Sequence, residues 1–525
     1  MNLSRREFIK LSSIGIILSS THSFSINDLD KEHRKYHVSI SIDALEHEPE
    51  LFDIFKNSGV SAVWIGSFFY GYWHSTPEII KEWKKKFESA GISAYVINVP
   101  LGHPGDSLGS YSGDVPLTPP TRWKPGVDYN GKLFAGTSLH EPATEENVLA
   151  LKSLKEVGVT KVFLDDDFRL AQSPGKIGGC FCEEHKKKFL NQYGYNDADW
   201  ENLLDSIQKR SLSKILKNWI EFTCDDLTVC FKTMETKVPE IELGIMVMYM
   251  GSEKAGIRLS DYKNNLFRVG ELMFDNNSFG TVKGKCNELF SVLFHRRFTS
   301  PEKAFSETTA FPADKLSAKN MCAKLVISTI ADVRNTMFMS GIQHFPKTHW
   351  EVLPSAMGKQ AKLHAEIASH SLKGPFKHYW GMRSRYVSDD NPYSLWLALG
   401  IPFEVVEEIP NEGWIFVSDY DIDEVRTKNI KTNLVTRKKE EGFIFVPETL
   451  ESLFKFKQII ISQLKDIPYI LDEKPVTCAW YPSAKKILIW NLSESRENFT
   501  LIRGNKKIDF DLECLDATLL SDLSD

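Results

Sequence analysis

Three consecutive aspartates follow a short apolar run and are the clearest candidates for chemistry in the chain. The segment VFLDDDFRL covers residues 162–170, and its apolar start is typical of a buried strand that ends at Asp165, Asp166 and Asp167. Neighbouring like charges raise the pKa of at least one carboxyl group, as a general acid requires. The structural alternative is that an aspartate caps the next helix and that Arg169 balances the charge.

A second carboxylate candidate is Glu307 in the segment AFSETTAFP, where a charged residue enters a strand-like run. Two carboxylates that face each other across a cleft can cleave a glycosidic bond, because one protonates the leaving oxygen while the other attacks or stabilises the sugar cation. These residue types therefore predict a glycoside hydrolase that acts on an oligosaccharide or glycoconjugate. For Glu307 the alternative is a surface-exposed strand end.

A possible metal site follows the aspartates in the segment CFCEEH. Cys180, Cys182 and His185 have the ligand types and the spacing that suit zinc. They are one ligand short of a closed structural site, and His103 or His140 would complete it. The alternative is a pair of packed thiols and a solvated histidine at the start of a helix. The position beside the aspartates predicts a structural Zn²⁺ that fixes their loop.

Aromatic and polar side chains after other strands are candidates for binding the substrate. Sugars are held by aromatic faces and by hydrogen bonds to their hydroxyl groups, although burial among packed loops explains single residues equally well. Glu271 has a further alternative, as an ion-pair partner of Arg268. The candidates are Tyr70, Trp73, His74, Arg169, Tyr249, Glu271, His344 and Trp350.

The elements that must position these groups alternate between strand-like and helical patterns. Such alternation predicts a (β/α)₈ TIM barrel over residues 35–380, with catalytic groups at the carboxyl ends of strands four and seven. An open doubly wound sheet is the competing fold. A long insert after strand three is expected to form a wall of the cleft. The predicted strands are 37–43, 61–66, 92–100, 161–167, 242–248, 271–277, 303–309 and 336–341.

Two smaller domains are predicted after the barrel. Residues 385–472 alternate more briefly, as in a small α/β domain, and residues 473–525 show the two-residue alternation of an antiparallel β domain. Most of the eight cysteines are expected to be small buried residues.

The N-terminus and the charge suggest where the protein works. Residues 1–25 contain SRREFIK before a short apolar run, as in a twin-arginine export signal, so an exported, periplasmic or extracellular protein is expected. An amphipathic segment of a cytosolic protein is the alternative. No run has the length of a transmembrane helix. The net charge of −6 gives no reason to expect a nucleic acid partner.

The aspartates and the cysteine motif together resemble the retaining β-galactosidases of glycoside hydrolase family forty-two. In that family a strand-four Asn-Glu pair precedes a Cys-x-Cys-x-x-Cys element of a zinc site, and here CFCEEHKKKF follows DDFR with His185 in place of the third cysteine. The resemblance implies Asp167 as acid/base, Asp166 in the place of the asparagine and Glu307 as nucleophile. It also implies a flavodoxin-like second domain and a homo-oligomer, which in that family is a trimer.

One departure from the family bears on the stereochemistry. Aspartate is one methylene shorter than the family's glutamate, so the carboxylate gap can exceed the roughly 5–5.5 Å of retaining enzymes. Retention is predicted and inversion stays open. A single bulge at the strand end would exchange the roles of Asp166 and Asp167. Two other functions remain as alternatives, a carbohydrate-binding barrel without catalysis and a zinc-dependent hydrolase.

Overall fold

The computed structural model describes most of the chain after the N-terminal segment. The predicted export signal, Asp166, Asp167 and His103 lie outside the described residues. Among the helices that are described, none has the length and apolar character needed to cross a membrane. The described residues are 34–102, 119–165, 168–171, 175–247, 249–428 and 433–524.

Eight parallel strands close into a barrel. Each strand pairs with the next along the chain, and the first pairs with both the second and the eighth, which closes the ring. This closure confirms the predicted TIM barrel and excludes the open doubly wound sheet. The strands are β1 (Lys35–Ile40), β2 (Ala62–Phe69), β3 (Ser93–Val99), β4 (Lys161–Leu164), β5 (Glu242–Met246), β6 (Leu266–Arg268), β7 (Ala304–Thr309) and β8 (Asn335–Met339).

Amphipathic helices cover the outside of the barrel, and several begin at a serine or threonine whose side chain accepts a backbone N–H, as Ser213 and Ser317 do. Three helices, α5 to α7, lie between β4 and β5. The helices are α1 (Ile42–His47), α2 (Leu51–Asn57), α3 (Pro77–Ser89), α4 (Ala143–Glu156), α5 (Glu183–Tyr193), α6 (Asp197–Gln208), α7 (Lys214–Lys237), α8 (Asn276–Phe279), α9 (Val282–His295), α10 (Ala318–Ile330) and α11 (Leu353–Ala365).

The sixth strand differs from the prediction. It is the three-residue β6, whereas the predicted segment 271–277 forms a loop and the start of α8. The chain leaves the sheet at Gly270, where a Cβ atom would lie 2.3 Å from the backbone oxygen of Tyr249. Asp275, expected at a strand end, instead caps α8 by accepting the N–H groups of Asn277 and Ser278.

The second domain is a five-stranded parallel sheet with the order β10-β9-β11-β12-β13. This is a common doubly wound order, and the flavodoxin-like assignment itself stays a prediction. Since β9 begins at Phe376, the sheet starts before the predicted boundary at residues 380–385. The elements are β9 (Phe376–Tyr379), α12 (Met382–Val387), β10 (Phe403–Val406), β11 (Trp414–Val417), α13 (Ile422–Thr427), β12 (Asn433–Thr436), β13 (Ile444–Phe445) and α14 (Leu450–Ile460).

The C-terminal domain consists of two three-stranded antiparallel sheets, β14-β17-β18 and β15-β16-β19. Apolar side chains such as Ile489 and Phe499 form its core. The domain confirms the predicted C-terminal β structure, and all eight cysteines of the chain are free. The strands are β14 (Tyr469–Ile470), β15 (Val476–Tyr481), β16 (Lys486–Asn491), β17 (Glu497–Arg503), β18 (Lys506–Leu512) and β19 (Ala517–Ser521).

Candidate active site at the barrel mouth

The side-chain alternation of β4 and β7 directs one carboxylate from each strand into the barrel mouth. Phe163 and Phe305 meet inside the barrel with ring centroids 5.0 Å apart. Two residues further along, Asp165 and Glu307 face the same interior, because every second side chain of a strand points to the same side. Asp165 and Glu307 therefore lie at the same end of the barrel, whereas Asp167, the predicted partner of Glu307, lies outside the described residues.

An arginine at the end of β6 joins the two carboxylates. The Arg268 guanidinium pairs with Asp165 through Nη1, and its Nη2 lies 3.1 Å from Glu307 Oε1. The Arg268 side chain is fully buried, so both contacts are shielded from water. Arg169, the arginine predicted to bind substrate, is buried and donates its Nε–H to the carbonyl of Ala171 at 3.0 Å.

The environment of Glu307 changes its protonation. Burial raises the pKa of this carboxyl group to about 8, while the Arg268 cation opposes the increase and the Asp165 charge adds to it. The other carboxyl oxygen, Oε2, is buried and has no hydrogen-bond partner among the described residues. A buried carboxyl oxygen without a protein partner is rare, and a group with such a perturbed pKa is typical of a reaction centre.

A buried cluster of charged side chains binds the main chain of Glu307. Because the chain turns away at Gly270, β6 does not supply the next carbonyl, and the Glu307 N–H instead donates to Glu271 Oε1 at 3.2 Å. Glu271 Oε2 lies 3.2 Å from Lys324 Nζ, which also pairs with Glu288 at 2.5 Å. All three charged side chains are buried. Glu271, predicted to contact substrate, is therefore buried in the core, where it accepts the Glu307 N–H.

The aromatic segment after β2 lies partly at the surface. Trp73 is 38% exposed and packs edge-on against Phe68, with ring centroids 5.0 Å apart. His74 stacks on Phe69 at 5.4 Å, and Tyr70 is buried. Of the three residues predicted here, Trp73 is the one with a face open to a ligand.

His344 and Trp350 lie in the packed layer outside the barrel strands. Trp350 donates its indole N–H to His344 Nε2 at 2.8 Å, and Phe55 of α2 packs against both rings. Trp350 also contacts Phe338, which alternates with the inward-facing residues of β8 and so faces the helices. Burial lowers the pKa of His344 to about 3. Both rings are buried in the core, which argues against the predicted substrate contact for this pair.

The loop after β5 is fastened to the second domain by ion pairs. Lys254, whose side chain is fully buried, pairs with Asp390, and Glu253 pairs with Arg385 at 2.9 Å. Tyr249 is buried close to this junction, and its pKa is raised by burial and further by the charge of Asp390. The predicted substrate residue Tyr249 therefore contributes to the packing between the barrel and the second domain.

Three potential metal ligands converge beside the β4 loop. Cys182 Sγ lies 3.4 Å from His140 Nε2 and 3.2 Å from His185 Nδ1. Tetrahedral zinc separates its nitrogen and sulfur ligands by roughly 3.5 Å, so these distances fit. The opposite ring nitrogens face carboxylates, His140 Nδ1 at 3.4 Å from Glu184 and His185 Nε2 at 3.7 Å from Asp226. Carboxylates in this place orient metal-binding histidines.

Cys180 does not belong to the converging group, which consists of His140, Cys182 and His185. Of the two histidines predicted as an additional ligand, His140 lies in the converging group and His103 is outside the described residues.

The comparisons with known proteins agree on the fold. No model of a known protein family matches the chain, and no curated protein matches it. The solved β-galactosidase from Bacillus circulans sp. alkalophilus superimposes with a TM-score of 0.59 at 9% identity, over 94% of this chain and 99% of that one. The β-galactosidase from the psychrophilic Marinomonas ef1 gives 0.58 at 10% identity, over 93% and 100% of the two chains. At such identities the likeness shows a TIM barrel with a C-terminal β domain.

Proposed function

We propose that the protein is a glycoside hydrolase whose reaction centre lies between the ends of β4 and β7. The observation that carries the proposal is the buried Glu307 carboxyl, which shares Arg268 with Asp165 of the opposite strand. The β-galactosidases that share the fold favour the same reaction class. Export through residues 1–25 and a retaining course are parts of this proposal.

In the proposed reaction Glu307 attacks the anomeric carbon and Asp167 protonates the leaving oxygen. Arg268 is placed to stabilise the ionised form of Glu307, because its guanidinium already contacts that carboxyl. Asp165 pairs with Nη1 of the same guanidinium and so holds Arg268 in place. Asp166 is proposed to tune Asp167 or to bind a sugar hydroxyl.

A panel of aryl glycosides and oligosaccharides tests the proposal, with NMR detection of the first anomer released. Hydrolysis of at least one glycoside is expected, with the product in the configuration of the substrate. An inverted product would overturn retention alone, whereas binding without any hydrolysis would favour the carbohydrate-binding barrel. Fractionation of expressing cells checks the export.

We further propose that His140, Cys182 and His185 hold a structural zinc ion. Bound there, zinc would join the segment before α4 to the start of α5. His185→Ala is expected to lower both the bound zinc and the melting temperature, as measured by elemental analysis and thermal unfolding. His47→Ala, at an exposed position of α1, is the control.

The two outcomes of zinc removal have different meanings. Hydrolysis that survives complete removal would exclude the zinc-dependent hydrolase. Equal zinc content in His185→Ala and in the wild type would contradict the assignment of this ligand.

A further inference from the structure

A cavity of about 240 Å³ lies beside the loop that follows β4. One wall is the turn 128–132, which joins the short antiparallel strands Pro125–Val127 and Leu133–Thr137. The other is the segment 176–181 before α5. The walls are tied together, because the Phe181 N–H donates to the Val127 carbonyl at 2.8 Å.

The size and the lining of the cavity suit one sugar ring. Its volume is below the roughly 300–1,000 Å³ of pockets that enclose drug-sized ligands. Tyr129 and Phe181 contribute aromatic surface, with their rings edge to face at 6.4 Å. Gly178 also lines the cavity, but its N–H and carbonyl already bond to the Lys254 carbonyl and the Trp219 indole N–H. The aromatic surface is the part of this lining that suits the apolar face of a pyranose ring.

Two lysines give the cavity a positive charge. Lys132 and Lys176 both line it, and the ammonium groups of both are without an ion pair or hydrogen bond to any described residue. Asp128 also lines the cavity, but its Oδ1 accepts the main-chain N–H groups of Asn130 and Lys132. Two cations against one engaged carboxylate leave a net attraction for an anion.

Two other lysines near the cavity form ion pairs, unlike Lys132 and Lys176. Lys124 pairs with Glu184, and Lys188 pairs with Asp226. Carboxylates are therefore common in this region, yet none is placed against the ammonium groups of Lys132 and Lys176 in the described structure. Both lysines are exposed, and an anionic ligand would pair with them in place of water.

We propose that this cavity binds a sugar unit that carries a carboxylate or a sulfate group. The inference rests on the proposed glycosidase function, which it narrows to acidic saccharides. Leu170, in the cavity wall, follows Asp165 by five residues, a span of at most about 18 Å of chain. A unit bound here can therefore belong to the same oligosaccharide as the bond that is cleaved.

The test measures binding to the full chain by NMR titration with galacturonic acid, galactose 6-sulfate and galactose. At least one charged sugar is expected to bind more tightly than galactose, and the better one identifies the group. The double variant Lys132→Gln and Lys176→Gln should weaken this binding about tenfold. Lys152→Gln on the exposed face of α4 is the matched control and should change nothing.

Ionic strength gives a second readout, since salt screens exposed charges and should weaken only the charged sugars. Equal affinity for all three sugars, or charged-sugar binding that the double variant leaves intact, overturns the proposal. Because no turnover is measured, its failure is distinct from failure of the glycosidase assignment. If the protein hydrolysed neutral glycosides and the double lysine variant bound charged sugars as the wild type does, only the proposal of an acidic subsite would be rejected.

Discussion

Replacing Glu307 by glutamine is expected to lower glycosidase turnover by at least about 10⁴-fold and, at the same time, to stabilise the fold above neutral pH. The loss follows because an amide cannot attack the anomeric carbon. The stabilisation follows from the charges, since one buried guanidinium now serves two carboxylates, Asp165 and Glu307. In Glu307→Gln the Arg268 cation is paired with a single anion, Asp165.

The pH dependence of this stabilisation has a definite sign. Burial raises the pKa of Glu307 from 4.5 to about 8 on folding, so the folded protein holds this proton more tightly than the unfolded chain. The resulting stabilisation is fully present below pH 4.5 and is lost as the pH rises through 8. Glutamine does not titrate, so the stability of Glu307→Gln relative to the wild type should increase as the pH rises from 4.5 through 8.

Thermal unfolding between pH 5 and pH 9 measures this difference, with Glu46→Gln on α1 as an exposed control. A Glu307→Gln protein that melts below the wild type at pH 8 would contradict the proposed charge balance. Undiminished hydrolysis by the folded variant would contradict its catalytic role.

The rate profile of the wild type separates the two possible roles of Glu307. A nucleophile must be ionised, so kcat/KM for an aryl glycoside should rise with pH towards about 8. A proton donor must be protonated, and the rate would then fall above the same pH. The first result supports the proposed assignment, and the second transfers the acid role to Glu307.

The barrel could be predicted because its strands are apolar runs separated by helices with regular spacing. Asp165 and Glu307 could be placed towards strand ends because each comes after the apolar residues of a strand-like run. Local patterns carry such information. The C-terminal β domain is a similar case, since its alternation is read directly from neighbouring residues.

The errors arose where distant contacts decide the structure. The run LFR is too short to be recognised as β6, and the more apolar ELMF leaves the sheet because Gly270 packs against the Tyr249 main chain. The sequence therefore indicates Arg268 only as an ion-pair partner of Glu271. An arginine inside an apolar run two residues past Leu266 was the available signal. Likewise, His140 reaches Cys182 only through the folded path of the insert.

Lys324→Met is expected to destabilise the protein by about 3–5 kcal/mol, because it leaves Glu271 and Glu288 buried without their cation. Burial already raises the pKa of both carboxyl groups, and Lys324 opposes that increase. Without the lysine both groups should take up protons at higher pH. The variant should therefore be least stable at alkaline pH and recover as the pH falls.

Lys319→Met on the same helix is the matched control, because Lys319 pairs with Glu494 at the surface and such a pair contributes about 0–1 kcal/mol. A triple variant, Lys324→Met with Glu271→Gln and Glu288→Gln, removes the whole buried cluster and should regain part of the lost stability. Thermal unfolding over pH 5–9 compares the three proteins. If Lys324→Met melted like Lys319→Met at every pH, the buried charges would not hold this part of the fold. Because Glu271 also accepts the Glu307 N–H, Lys324→Met should lower kcat as well, even at temperatures where the variant is fully folded.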